Sequence, residues 1–576
     1  LCQAPTGIGK SMSVLFPALK SMGNESVGPI FYLTARGTTR TAAENALAIL
    51  RDTEPELHLR SVTLTAKDKI CLCETRECTP EACPYANGYY ARIKGALWDV
   101  LDVPCLTAET LQEYAERHTV CPFELGLDSS LWSDVIIGDY NYLFDPVVHL
   151  VRFFESAGDY IFLVDEAHNL PGRAREMHSA ALTKTSFYEA KKLLGKGKSS
   201  LKNALTKVND VFIEWRHRAE EETAARDGRF GKTFFLKERS EEFDHLLNRL
   251  CEPLEAWLDD HREPDETHTA LLQLYFDVRA WLRVADTFDD HFVLQITASG
   301  SEVRAAQLCL DPSAFLADSF ALGRAAVLFS ATLAPASYYK DLCGVPEARA
   351  VALRSPFPAG NQGLFCIGNV STRYKDRDAS LAIVAESLAT MVRARCGNYL
   401  AFFPSYAYME QAYAQFKEHC PEINCIKQEN AMDEQQKAAF LAQFVPGPSQ
   451  PLLGFAVMGG VFGEGVDLTG DRLIGVGIVG PGLPQVGPRQ EQLRDYFEQT
   501  RGSGFDYAYR YPGMNKVLQA AGRVIRTPQD KGVVLLIDSR FAMPDYRRLM
   551  PPHWSHLKMI YDTEKLEREL WRFWEE

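Results

Sequence analysis

The chain has 576 residues, 46% hydrophobic and 24% charged, with 76 acidic against 62 basic side chains and a formal net charge of −14. That length exceeds one hydrophobic core and predicts three to four domains, while no run approaches the ~20 apolar residues of a membrane-spanning helix. The acidic balance argues against attachment to nucleic acid by bulk charge and leaves room for a local basic groove.

The first signal along the chain is Ala-Pro-Thr-Gly-Ile-Gly-Lys-Ser at residues 4–11, a P-loop with Ala4 in place of the usual leading Gly. The backbone N–H groups around Thr6, Gly7 and Gly9 can wrap a β-phosphate, Lys10 reaches the β- and γ-phosphates, and the Ser11 hydroxyl can ligate Mg²⁺. Only Leu1, Cys2 and Gln3 stand where a strand must feed this loop, so the chain reads as a fragment lacking its N-terminus. Short apolar runs follow at 30–33, 135–137, 161–164 and 326–329, and a second set stands at 399–403, 452–457, 473–479 and 533–537. Near-continuous apolar runs separated by helical stretches predict parallel strands buried on both faces, and the two sets predict two α/β domains.

Two inserts interrupt the first set. Residues 66–128 are rich in Cys, Pro and short helical pieces, and carry Cys71, Cys73, Cys78, Cys83, Cys105 and Cys121. So dense a group without a secretory segment points to metal rather than to disulfides. No Cys-x-x-Cys pair is present to favour zinc, whereas irregular spacing with Pro84 and Pro122 beside two thiols suits a [4Fe–4S] cluster on four thiolates; zinc and no metal stay open as alternatives. The scattered Cys251, Cys309, Cys343, Cys366, Cys396, Cys420 and Cys425 read as reduced core thiols of a cytoplasmic protein. Residues 182–292 have helical periodicity, dense charge and no apolar strand run, which predicts a helical subdomain, with 216–239 as a charged mobile loop.

Between the inserts the run 161–164 ends in Asp165 and Glu166, the first placed to hold the Mg²⁺ shell and the second to orient or deprotonate the attacking water. Ser330-Ala-Thr332 ends another run, and a Gly-rich loop at 459–467 carries Glu464 and Asp467, able to bond a ribose or an arginine. Further on stands Gln519-Ala-Ala-Gly-Arg-Val-Ile-Arg526. Gln519, Arg523 and Arg526 are spaced i, i+4 and i+7, which predicts one helix face presenting arginines to a transferring phosphoryl group. Together these residues describe ATP·Mg²⁺ hydrolysis between two domains.

With residues 32–36, 139–146, 329–333, 402–405 and 463–467 added to the segments above, the chain strongly resembles the XPD–DinG family of superfamily 2 DNA helicases; Asn-Tyr-Leu-Phe-Asp-Pro at 141–146 goes beyond generic helicase patterns. The resemblance implies an α/β fold with two RecA-like P-loop NTPase domains. The first is in three pieces (1–65, 129–181, 293–345), interrupted by an iron–sulfur insert (66–128) and a helical Arch insert (182–292), and the second spans 346–576. Cys71, Cys78, Cys83 and Cys121 match the family's cluster ligands, with Cys73 as the one rival to Cys71 and Cys105 as a bystander. Ser11 stands for the commoner Thr, and the family's adenine-contacting segment before the P-loop is absent. The implied activity is an ATP-driven helicase, acting 5′→3′ on single-stranded and forked DNA in repair, as a cytoplasmic monomer with ATP, Mg²⁺ and a [4Fe–4S] cluster. Thr332 and the loop around Gly460 would relay hydrolysis to the strand. Tyr140, Tyr142 and Phe462 are candidates for base stacking, with a core position as the alternative. The rival functions are a translocase that remodels nucleoprotein without net unwinding, and an ATPase-inert scaffold, against which intact Lys10, Asp165, Glu166 and Arg526 argue.

Overall fold

Each of the eight apolar runs forms the body of a strand in the computed structural model, which describes residues 1–24, 27–35, 37–54, 56–196, 199–225, 231–262, 265–463 and 468–575. The first eight-stranded sheet runs in the order Val351–Ala352, Cys2–Gln3, Ala325–Ser330, Ile161–Asp165, Ile30–Thr34, Val135–Asp139, Ser61–Thr63 and Cys105–Leu106, every pairing parallel. The second, seven-stranded and also parallel, runs Asn424–Lys427, Leu452–Val457, Asn398–Phe403, Gly475–Val479, Gly532–Ile537, Gln362–Ile367 and Lys558–Ile560. Every residue of Ile30–Thr34, Asn398–Phe403 and Gly532–Ile537 is buried. That double-sided burial is why these strands carry no alternation, since crossover helices cover both faces. The P-loop, Asp139, Asp165 and Ser330 therefore emerge together at the C-terminal edge of the first sheet, where open α/β sheets bind ligands.

The second insert departs from the helical expectation. Its helices Lys184–Leu193, Ser200–Ala225, Glu241–Asp260 and Glu266–Asp286 pack on an antiparallel sheet ordered Ala180–Thr183, Glu302–Cys309, Phe292–Ser299 and Lys232–Leu236. Phe187, Phe212, Phe243, Trp281, Leu294 and Ile296 share its core. The insert therefore continues past residue 292, through the hairpin that ends at Cys309. One-sided burial leaves Gln295, Thr297 and Arg304 between apolar neighbours, so these strands lack the continuous apolar run of a central parallel strand. Much of the expected charged loop at 216–239 is likewise ordered: Ser200–Ala225 is one helix, buried along Val208, Phe212, Trp215 and Ala219.

In the first insert, helices Tyr89–Val100, Ala108–His118 and Pro122–Ser129 bury Ile93, Ala96, Leu111, Ala115 and Leu125 in the same core as the first sheet. Cys105 lies in the strand that ends that sheet.

A buried ion pair braces the C-terminal edge of the second sheet. Asp538 is fully buried and accepts hydrogen bonds from the Thr372 amide and hydroxyl, and from the Arg540 amide, Nε and Nη2 at 2.7–2.8 Å. Burial alone would raise its pKa; Arg540 and Thr372 outweigh burial and hold it below its ordinary 3.8. A depressed carboxylate contributes stability above its unfolded pKa and loses it as pH falls through the folded one. Asp538→Ala is expected to cost about 3–5 kcal/mol by leaving Arg540 uncompensated, measured as a shifted urea transition at pH 7. Because that contribution disappears in acid, the gap to wild type should narrow below pH 3.8.

Candidate active site

The P-loop turns on two residues that only glycine suits. Gly7 and Gly9 have φ of +79° and +73°. A Cβ at Gly7 would lie 2.0 Å from the Arg526 carbonyl oxygen, so this glycine also lets the loop meet the second domain. Thr6 Oγ1 donates to the Gly522 carbonyl at 3.2 Å, a second tie across the same junction. The helix Lys10–Asn24 begins where the loop ends, so its N-terminal amides add to an anion cradle.

Behind the loop, the buried Tyr32 hydroxyl joins Ser11 Oγ at 2.9 Å to Asp165 Oδ2 at 2.8 Å. Burial, then the Asp165 charge, holds this phenol well above its usual range, so it stays protonated. Burial and the adjacent Glu166 charge push Asp165 up to about 6, against the Tyr32 hydrogen bond and Lys10. Glu166 takes a left-handed backbone, φ 49°, a conformation costly enough outside glycine to be characteristic of functional turns. Burial opposes its ionisation, but His168, Lys10 and Ser330 outweigh it and hold Glu166 down at about 2.

His168 is the hinge of the site. Its Nδ1 lies 2.7 Å from Ser330 Oγ and 3.2 Å from Glu166 Oε2, while its Nε2 lies 2.5 Å from Gln519 Nε2. Ser330 in turn donates to Glu166 at 3.0 Å. One imidazole thus links the acidic strand end, the Ser330 strand end and the second domain. Thr332 is buried close by, its amide on Ser330 Oγ at 3.3 Å.

The three residues expected on one helix face are arranged differently. The helix Tyr511–Ala521 carries Gln519 but ends before Arg523 and Arg526. Gly522, a poor helix former, caps the helix, and Asp530 closes the next turn by accepting from the Arg526 and Thr527 amides at 2.7 and 2.8 Å. Gln519, Arg523 and Arg526 nevertheless line one interdomain cleft of about 840 Å³ with Thr6, Gly7, Lys10 and Glu166. Arg523 also donates to the Gly463 carbonyl at 2.7 Å. Glu464 and Asp467 lie outside the described residues.

Phe357, His553 and Trp554 also line this cleft; no local sequence pattern marks them, and the bridging role of Tyr32 is a contact of the fold. A tyrosine inside an apolar parallel strand was the available signal for Tyr32, because a buried hydroxyl demands a partner. Two of the three aromatics considered for stacking are core residues: Tyr140 is fully buried with its hydroxyl on the Asp165 carbonyl, and Phe462 is buried against Phe440 at 4.4 Å between centroids. Tyr142 is half-buried and packs over Gly138.

Every cysteine is a free thiol; Cys396 is exposed rather than in a core. Cys73 Sγ lies 3.9 Å from Cys83 Sγ. Partial burial, then Cys83 and Cys71 beside it, pushes the Cys73 thiol up to about 11. Cys78 is exposed, and Cys121 is half-buried at the start of Pro122–Ser129. The described residues hold no convergent group of three or more His, Cys, Asp or Glu side chains suited to a metal.

Comparison with known proteins adds sequence and fold relatives. A DEAD_2 family model matches residues 54–187, and a helicase C-terminal domain model matches residues 388–557. The XPD helicase subunit of the general transcription and DNA repair factor IIH of Schizosaccharomyces pombe is 24% identical, over 77% of this chain and 67% of that one. The ATP-dependent DNA helicase CHL1 of Coccidioides immitis is 22% identical, over 78% and 60%, and regulator of telomere elongation helicase 1 of Rattus norvegicus is 22% identical, over 86% and 45%. The chain thus spans between 45% and 67% of the length of these relatives. A solved XPD helicase superposes with a TM-score of 0.63 at 18% identity, covering 97% of this chain and 95% of that one. The S. tokodaii Xpd4 structure gives 0.60 at 14% identity, with the same coverage.

Proposed function

Because the chain belongs to the XPD-like family of superfamily 2 helicases, we propose that it is the motor of an ATP-dependent DNA helicase that moves on single-stranded DNA. The observation that carries this reading is the interdomain cleft, lined both by Lys10 and Glu166, which stand beside the first sheet, and by Gln519, Arg523 and Arg526, which stand beside the second. A hydrolytic site split between two domains couples each turnover to their closure. In this reading Lys10 and the loop amides bind the β- and γ-phosphates, and Glu166, already ionised, takes a proton from the attacking water. Arg523 and Arg526 offset charge that develops on the γ-phosphoryl oxygens. Ser11 and Asp165, two hard oxygen donors brought together by Tyr32, suit Mg²⁺, which when bound would neutralise phosphate charge. His168 would report the state of Glu166 to Gln519. We assign polarity as 5′→3′, forked DNA as substrate and repair as setting on family membership alone.

DNA-stimulated ATPase activity tests the motor: no stimulation by single strands would leave only an inert scaffold. A forked duplex then separates unwinding from translocation without unwinding.

We also assign a [4Fe–4S] cluster to the first insert, held by Cys78, Cys83, Cys121 and either Cys71 or Cys73. Support comes from the number and softness of the free thiols and the proximity of Cys73 to Cys83, and no catalytic step is derived through the cluster. Anaerobically purified protein is expected to be brown, with about four irons and four labile sulfides per chain. Cys78→Ser, Cys83→Ser or Cys121→Ser should bleach it, Cys105→Ser should not, and Cys71→Ser against Cys73→Ser identifies the remaining ligand. A colourless, zinc-loaded protein would refute this assignment.

A further inference from the structure

With Tyr140 and Phe462 in the core, an exposed aromatic with cations beside it stands in the turn after the strand Gln362–Ile367. Tyr374 is 86% exposed and stands between Arg373 and Lys375, both exposed and neither in an ion pair with any described residue. The Arg377 guanidinium lies 5.5 Å from its ring centroid and 5.0 Å from that of Tyr408, and donates to Ser405 Oγ at 3.4 Å.

The turn is rigidly built. Thr372 is buried and bonded through both amide and hydroxyl to Asp538, and Ser371 Oγ donates to Asp376 Oδ2 at 2.6 Å. Gly480 leaves room for this anchor, since a Cβ there would come within 2.6 Å of Thr372 Oγ1. Exposing a large aromatic ring forgoes its burial energy. An exposed ring on an anchored turn, flanked in sequence by cations, is the chemistry of a base-stacking platform beside phosphates. Its position agrees: Ser405, Gly480 and Asp538 mark one edge of the second sheet, whereas Gln362, at the start of the same strand, lines the nucleotide cleft. A six-residue strand separates the two by roughly 20 Å.

We infer that Tyr374 is a stacking platform for a base of single-stranded nucleic acid, with Arg373 and Lys375 on the flanking phosphates. The inference rests on the single-strand motor reading and adds the residue that grips the strand. Basic residues at 373, 375 and 377, the last with its guanidinium over the ring, on a body of net charge −14, favour a polyanion over a protein partner.

The test measures oligo-dT affinity by fluorescence anisotropy, together with ATPase activity with and without DNA. Tyr374→Ala should weaken oligo-dT binding about tenfold and leave DNA-free ATPase unchanged, and Tyr374→Phe, which keeps the ring, should restore affinity. Arg373→Gln with Lys375→Gln should flatten the salt dependence of binding by roughly one to two counterions. If wild type neither binds single strands nor is stimulated by them, the motor reading fails and this inference falls with it. If wild type is stimulated but Tyr374→Ala binds oligo-dT equally well, the motor reading stands and the platform is overturned, leaving the turn to a protein contact. Tyr374→Phe as weak as Tyr374→Ala would also overturn it, because the hydroxyl would then be the contact.

Discussion

Lys10→Ala should reduce ATP hydrolysis by at least about 10³-fold while leaving single-strand binding without ATP essentially intact. Lys10 begins the helix after the P-loop and lines the cleft beside Glu166, and its charge opposes protonation of both Asp165 and Glu166. Its loss thus acts twice: phosphate oxygens lose a fixed cation, and two carboxylates that must be ionised lose a charge favouring ionisation. Removing one preorganised group that meets developing charge typically costs 10²–10³-fold, and the second effect adds to it. DNA phosphates are met elsewhere in the proposed motor, so oligo-dT affinity measured by anisotropy should not follow. A parallel loss of DNA affinity in the absence of nucleotide would mean that Lys10 belongs to the strand groove.

The parts of this molecule legible in its sequence are those where one local rule decides the structure. Parallel strands such as Ile30–Thr34 and Gly532–Ile537 are apolar at nearly every position because both faces are covered, and so they stand out. The P-loop announces itself because Gly7 and Gly9 adopt positive φ and Lys10 opens a helix. Legibility failed where a second, distant element decides. Phe292–Ser299 and Glu302–Cys309 are strands by virtue of each other and of Ala180–Thr183, and their one-sided burial mixes polar residues into the run. Gln362–Ile367, the sixth of seven strands in the second sheet, likewise does not stand out as an apolar run, its start softened by Gln362 and Gly363. The i, i+4, i+7 spacing of Gln519, Arg523 and Arg526 suggested a continuous helix, yet the Asp530-closed turn ends it early. The three residues converge on the cleft through that turn and not through helical periodicity. His168 shows the same limit: its chemistry lies in contacts to Ser330 and Gln519, 162 and 351 residues away in sequence.

That turn makes the consequences of removing Arg526 specific. Arg526→Ala should lower kcat by about 10³–10⁵-fold, the range for an arginine that meets charge on a transferring phosphoryl group, with little change in ATP affinity. The main chain at this point is held from both sides: Asp530 fixes the Arg526 amide at 2.7 Å, and the Arg526 carbonyl fills the space over Gly7. Because alanine keeps both backbone contacts, the domain junction should persist, and the loss should fall on the side chain within the cleft. Equilibrium binding of a non-hydrolysable ATP analogue separates this outcome from a binding defect better than KM does, since KM reports affinity only when chemistry is slow. Arg526→Lys adds a second discriminator. It restores the charge but not the planar fork that meets two phosphoryl oxygens, so it should recover part of the lost rate, and less than a purely electrostatic role would allow. If analogue affinity collapses while turnover at saturating ATP survives, Arg526 is a ground-state ligand of the γ-phosphate, and the transition-state role passes to Arg523.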